Sequence, residues 1–272
     1  MSPDSFPNSV SNSLPNPDLK VASLVSVGQH PKSGRARRAS QDARAVELGL
    51  QMTGSSSRLI HVGGGDETGL RQYLGMGLPE ITLLKADSRA DAVPILASHL
   101  EEHPADIVLS GIHAERGEAS GMVPYLLAEH LGWPIVPRIA DIQKVEDGFA
   151  EVLQALPRGQ RRLLRVPLPF IATVDNAAPD ARQYAFGPAR RGLMNGVAVN
   201  APVDEARLEW LENPAKPRPK RLNVVKAKSA ADRFKAATAK PQGQGGKVIR
   251  DGTDREKAEA IMELLVAEGV VR

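Results

Sequence analysis

Ile107-Val108-Leu109-Ser110-Gly111-Ile112-His113-Ala114-Glu115-Arg116-Gly117-Glu118-Ala119-Ser120-Gly121-Met122-Val123 runs from a short apolar stretch through a loop of small residues into helical spacing. Three apolar residues closed by Ser110-Gly111 read as a buried parallel strand. The spacing beyond predicts a helix over residues 121–131, stopped by Gly132-Trp133-Pro134. A strand that passes to a helix through a glycine-bearing loop is the repeating half-unit of a parallel α/β sheet.

The same unit recurs upstream. Residues 21–27 form a β-rich run stopped by Gly28, followed by helical spacing over 42–52 (Ala43, Val46, Leu50). Residues 58–62 lead into Gly63-Gly64-Gly65 and a helix over 68–76, closed by Gly77. Residues 81–84 form a third strand, with a helix over 90–102. This recurrence predicts an α/β fold with a doubly wound, mainly parallel, Rossmann-like sheet. Beyond Pro137 the rhythm changes. Two alternating runs flank Asp147-Gly148, a hairpin signal, and Pro157-Arg158-Gly159-Gln160 turns into a strand over 162–166. Residues 170–174 form a last buried strand. An antiparallel addition to the parallel sheet is expected.

The flanks differ from this body. Residues 1–18 are rich in Ser, Pro and Asn and carry little to bury, so they are expected to be disordered. Between 213 and 250 stand eleven Lys or Arg against the single acid Asp232, which reads as a solvated linker or arm. At the C-terminus Thr253 and Glu256 form a capping box for an amphipathic helix with Ile261, Leu264, Leu265 and Val266 on one face. That helix has two candidate surfaces, a partner's or its own domain's. The expected organisation is a tail over 1–18, a nucleotide-binding domain over 19–200, a basic arm over 201–250 and a helix over 251–272.

The composition excludes several function classes. Without cysteine there are no disulfides, thiolate metal sites or Cys nucleophiles. A net charge of +3 does not by itself imply a polyanion partner, and the basic arm lacks an aromatic stacking platform beyond Phe234, so no nucleic acid is expected. No apolar run reaches the ~20 residues of a membrane span, and the N-terminal residues do not read as a signal peptide, so a cytoplasmic protein is expected. The histidines show no metal spacing and no catalytic constellation is evident, which favours a binding or carrier role over an enzyme. The 110–123 loop is the best candidate for a ligand. Small residues admit a phosphate close to the backbone, and the helix that follows offers free N–H groups and a positive dipole end. It lacks the Gly-Lys-Ser/Thr ending of a Walker loop. Gly63-Gly64-Gly65-Asp66 and Ser26-Val27-Gly28 end strands at the same sheet edge, where open α/β sheets bind ligands.

Several segments, in this order, resemble the electron transfer flavoprotein beta subunit family. They are residues 69–77 ending Gly75-Met76-Gly77, the 110–123 loop running into Leu131-Gly132-Trp133-Pro134, Leu168-Pro169-Phe170-Ile171-Ala172-Thr173-Val174, and Arg182-Gln183-Tyr184-Ala185. The helix ending Glu268-Gly269-Val270-Val271 is similar to the family's tail. The resemblance implies a heterodimer with an alpha subunit that carries redox-active FAD, while this chain holds a structural AMP. Electrons would pass from a primary dehydrogenase to a quinone oxidoreductase. AMP contacts are implied at Ser26, at Ala39, Ser40, Gln41 and Asp42, at Gly63, and along Ala114 to Val123. Docking of the dehydrogenase is implied just after Tyr184-Ala185, on Tyr184, Phe186, Arg190, Arg191 and Met194. Two departures stand out. The family's Asn-Pro-Phe segment is Ala39-Ser40-Gln41 here, and its Thr-Leu-Pro docking residues are Phe186-Gly187-Pro188. Two other readings fit the same pattern, a stand-alone nucleotide-binding module of universal-stress type and an enzyme acting on a nucleotide.

Overall fold

The computed structural model describes Asn16 and residues 18–64, 67–87, 89–200, 202–211, 213, 229–231, 234 and 250–267. It divides into two units, residues 1–211 and 212–272. The first is built on nine strands: β1 (Val21–Leu24), β4 (Arg58–Val62), β5 (Glu80–Lys85), β6 (Ile107–Gly111), β7 (Ile135–Glu146), β8 (Phe149–Ala155), β9 (Arg161–Pro167), β10 (Phe170–Val174) and β11 (Leu193–Ala198). A separate antiparallel pair joins β2 (Val27–Gln29) to β3 (Ala36–Arg38). The large sheet runs β11-β5-β4-β1-β6-β10-β7-β8-β9. It is parallel from β11 to β7 and antiparallel across β8 and β9.

Helices cover both faces of the parallel part. On one face α1 (Ser40–Thr53) and α2 (Glu67–Leu74) pack Val46, Leu50, Leu70, Tyr73 and Leu74 against Leu59 and Ile81. On the other, α3 (Ala92–Glu102) and α4 (Val123–Leu131) pack Ile95, Leu96, Leu100 and Leu127 against Ala22, Ile60, Val108 and Ile171. Coverage from both sides explains why β1, β6 and β10 are buried along their whole length. Such strands read as unbroken apolar runs rather than alternating ones.

Four expectations change. The run 21–27 is not one strand. It breaks after Leu24, where Ser26 turns to meet Asp42, and Val27 begins the small β2–β3 ribbon. The fourth helix begins at Val123, not at Gly121, because Gly121 holds φ +73°, outside the right-handed helical region. The segment after Ala185, for which the sequence carries no clear periodicity, is a short helix, α5 (Phe186–Arg191), followed by edge strand β11. Finally, the first unit holds residues beyond 200. Asp91 N donates to Pro202 O (2.9 Å), Asp204 N donates to Arg89 O (3.0 Å), and Ala90 bridges Val203. At the other end Asn16 N donates to Met52 O (2.8 Å) and Leu19 is buried in the core. The remaining residues of the expected tail, 1–15 and 17, lie outside the described residues, as does most of the expected basic arm.

In the second unit a helix spans Asp254–Ala267. Its capping box forms as expected: Thr253 N donates to Glu256 Oε2 (2.7 Å) and Glu256 N donates to Thr253 Oγ1 (3.4 Å). Gly269, expected to end it, lies outside the described residues. No helix of the structure is long and apolar enough to cross a membrane among the described residues.

Candidate functional site

The chain order reverses between β1 and β6. From β1 the sheet grows to β4 and β5 on one side and then resumes with β6 on the other. At such a switch point the loops leaving neighbouring strands splay apart and open a crevice beyond their carboxyl ends. A cleft of about 270 Å³ occupies this position, lined by Leu24, Val25, Ser26, Ile60, His61 and Val62 from one side and by much of 110–124 from the other.

Asp42 straps the two sides of the switch together. It lies in the first turn of α1, is buried, and accepts from Ser26 N (2.7 Å), Ser26 Oγ (2.6 Å) and Gly111 N (3.1 Å). Burial pushes its carboxyl up to about 6; the bonds from Ser26 and Gly111 offset part of the rise, and the negative charge of Glu115 adds to it. Its neighbour Gln41 accepts from Ile112 N (3.0 Å), so the start of α1 holds the first residues after β6 at two points.

Glu115 clamps the middle of the loop. Ala39, the residue before α1, offers no side-chain cap, and Glu115 Oε1 instead accepts from Ser40 N (2.8 Å) at the helix start. A carboxylate there meets both an unpaired N–H and the positive end of the helix dipole. Glu115 also accepts from Gln29 N (3.1 Å) and from Arg37 Nη2 (3.0 Å), tying β2 and β3 to the loop. Burial alone would raise its carboxyl. The N–H groups of Ser40 and Gln29, with the Arg37 charge, outweigh that and hold it below the usual range. Beneath these contacts the fully buried Tyr73 hydroxyl donates to Ser26 O (2.8 Å) and accepts from Ala39 N (2.7 Å). Burial, with the charge of Asp42, raises the phenol well above its ordinary value, so it stays a donor.

The loop thus fixed is mostly exposed beyond Glu115. Among the described residues, none of the N–H groups of 113–121 has a hydrogen-bond partner. Unpaired backbone donors beside a helix start suit an anion. Gly121 shapes the passage into α4: with φ +73°, a Cβ there would lie 2.4 Å from Ile112 O. No other residue type fits that approach.

The expected nucleotide-site residues separate into three groups. Ser26, Asp42, Ala114, Arg116, Glu118, Ala119, Ser120, Gly121 and Val123 line the cleft. Ala39, Ser40, Gln41 and Glu115 stand behind it as the scaffold just described, and so support rather than line it. Gly63, Gly117 and Met122 do neither: Gly63 lies next to His61, Gly117 has open space about it, and Met122 is exposed. Of the glycine run, Gly65 and Asp66 lie outside the described residues. Sequence reasoning missed His61, Tyr73, Arg37 and the apolar floor of Leu24, Ile60, Val62 and Leu96. Each belongs to a strand or helix interior, where a site residue and a core residue look alike.

The 184–194 segment forms a second surface. Tyr184 and Phe186 are exposed, Phe186 by 75%, so its ring is not part of the core. Arg190 and Arg191 are exposed at the end of α5, and Met194 lies in β11, partly buried against the α2 core. The helix is held from below. Arg71 Nη1 donates to the carbonyls of Ala189 (3.3 Å), Arg190 (3.3 Å) and Gly192 (3.4 Å). Ala185 N donates to Gly75 O (2.8 Å), and a Cβ on Gly75 would meet Ala185 O and Tyr184 Cβ, each at 2.9 Å. The glycine after α2 is thus set by the approach of the exposed segment.

Comparison with known proteins accords with this architecture. The electron transfer flavoprotein domain matches residues 33–206. A protein named electron transfer flavoprotein subunit beta, from Chromohalobacter salexigens, is 52% identical over 94% of this chain and 97% of its own length. A putative electron transfer flavoprotein subunit of Escherichia coli K12 is 29% identical over 49% of this chain and 54% of its own. The match over nearly the whole chain sets aside the stand-alone module, and the chain belongs to the electron transfer flavoprotein family, on its beta-subunit side.

Proposed function

We propose that this chain is the nucleotide-holding subunit of a heterodimeric electron carrier, with AMP in the cleft between β1 and β6. The observation that carries this is the 113–121 loop, free of backbone hydrogen bonds from its N–H groups among the described residues, most of whose residues line a cleft closed on its other side by apolar strand ends. The residues fit an adenine nucleotide. Phosphate belongs against the loop and the start of α4, where Arg116 adds a cation. The base belongs over Leu24, Ile60, Val62 and Leu96. Asp42 and Glu115 take no part in chemistry; they hold the cradle in shape.

FAD held by an alpha subunit would supply the redox chemistry between a primary dehydrogenase and a quinone oxidoreductase. This chain helps to hold that subunit and presents Tyr184, Phe186, Arg190 and Arg191 to the dehydrogenase. The exposed aromatics beside two arginines support this, since those residue types dominate binding at interfaces. The chain is an electron-carrier subunit rather than an enzyme with its own catalytic side chains, and it works in the cytoplasm.

Two measurements test the proposal. Co-expression with the alpha subunit should yield a yellow heterodimer, and denaturing this chain alone should release stoichiometric AMP and little flavin. Stoichiometric FAD from the isolated chain would overturn the division of cofactors. A chain that neither carries nor binds adenine nucleotide would overturn the assignment of the cleft.

A further inference from the structure

His61 is the polar side chain that the cleft leaves unexplained. It lies on β4, lines the cleft, and is only 8% exposed. Its Nδ1 lies 2.8 Å from Val25 O. A backbone carbonyl only accepts, so Nδ1 must carry the proton and Nε2 is left as a lone-pair acceptor. Burial lowers the imidazole's pKa, more than the Val25 bond raises it, and favours this neutral form. Among the described residues Nε2 has no hydrogen-bond partner. The residue two places on is Gly63, and a Cβ there would lie 3.6 Å from Nε2, so the glycine leaves this nitrogen uncovered. An acceptor on the cleft wall without a donor from the protein can take one from a ligand.

We infer that His61 reads the nucleobase, accepting a hydrogen bond at Nε2 from an exocyclic amino group and so selecting a 6-aminopurine. The inference rests on the proposed nucleotide site and deepens it. The placement follows from the two ends of the cleft. Unpaired N–H groups and Arg116 lie on the β6–α4 side, which suits phosphate, whereas His61 lies on the β4 side among Val25, Ile60 and Val62, which suits a flat base. The apolar strand ends supply stacking area with no preference among bases, so discrimination falls to a polar atom at their edge, and His61, which alternates with Ile60 and Val62 along β4, stands there. A fixed-tautomer acceptor rewards a donor and penalises a carbonyl oxygen, against which its lone pair would be set. Sites built to pair a polar group reject analogues that lack it.

The test uses the full chain after exhaustive dialysis, with equilibrium binding of AMP, of purine riboside 5′-monophosphate (AMP without its amino group), of IMP and of 2′-deoxy-AMP. AMP should bind about tenfold more tightly than purine riboside monophosphate, the size of one net hydrogen bond, and IMP should bind no better than the latter. His61→Phe should bring AMP and purine riboside monophosphate within twofold of each other. His61→Gln, whose amide keeps a donor for Val25 O and an acceptor besides, should restore part of the preference. Because the analogue comparison is made on the unmodified chain, the inference remains testable even if a variant fails to fold. Equal affinity for AMP and its desamino analogue would overturn the inference while leaving the nucleotide site intact. Loss of preference only with 2′-deoxy-AMP would overturn it in favour of a ribose contact. If none of the four nucleotides binds, the proposed function falls with it.

Discussion

β10 is buried along its whole length, whereas β9, three places away in the same sheet, keeps only Val166 buried. One strand has helices on both faces and the other closes a hairpin extension at the sheet margin. In the extension, structure follows from neighbours in sequence. Asp147 and Gly148 both take positive φ (50° and 75°), as a two-residue hairpin turn demands, and β8 pairs residue by residue with β9 and, across two register shifts, with β7. In the parallel part almost every contact that shapes the cleft is long-range: Asp42 to Gly111, Glu115 to Ser40, Tyr73 to Ser26. The cleft lies where strand order reverses, and the contacts that shape it come from far apart in the chain. If this contrast is right, damage in the cleft should remove ligand response, and damage in the extension should cost stability alone.

The largest expected effect is at Gly121. A valine there meets Ile112 O and strains a positive φ, so Gly121→Val should abolish the stabilisation given by added AMP. That stabilisation should be ~2.7 kcal/mol at a hundredfold excess over the dissociation constant. Thermal melts with and without AMP read it directly, and an unchanged shift would break the assignment.

Asp42 gives the next effect, and its sign is fixed. Its folded pKa of about 6 lies above the ordinary 3.8, so between these values the folded chain binds more protons than the unfolded one. Stability from this group is greatest below about 4 and is lost as pH rises through about 6, on the order of 2–3 kcal/mol in all. Asp42→Asn should remove that dependence. Denaturant melts of both proteins from pH 4 to pH 7 should therefore show the wild type's relative stability declining toward neutral pH.

Phe186 sharpens the comparison from the other side, as an exposed group with little to do for the fold. Phe186→Ala should change stability by under ~0.5 kcal/mol, yet weaken docking of the dehydrogenase by ~2 kcal/mol if it is an anchor. Stopped-flow flavin reduction in the heterodimer distinguishes the two. Normal reduction kinetics, or failure to assemble, would remove the docking role.

Gly148 supplies the smallest effect and the control. Its φ is positive but a Cβ there would meet nothing within 4 Å. Gly148→Ala should cost about 1 kcal/mol of backbone strain in a denaturant melt and leave the AMP-induced shift unchanged.

The amino-acid sequence by itself determined the doubly wound class, the hairpin at Asp147-Gly148, the capping box at Thr253 and the loop that borders the cleft. These rest on periodicity and turn chemistry, which act over a few residues and are written in order along the chain. It also placed Gly75 in a family-like motif and Gly121 at a helix start, without the close backbone approaches that each one serves. Tertiary structure alone decided that 21–27 breaks at Ser26, that β11 pairs with β5, and that Gly75 yields to the approach of Tyr184 and Ala185. It also divided the expected site residues, sending Ser40 and Glu115 behind the cleft as scaffold, giving Asp42 both a lining and a strapping place, and bringing His61 to the cleft. On β4 a histidine reads like any other strand residue. Only the carbonyl of Val25, 36 residues earlier in the chain, fixes its proton on one nitrogen and leaves the other free.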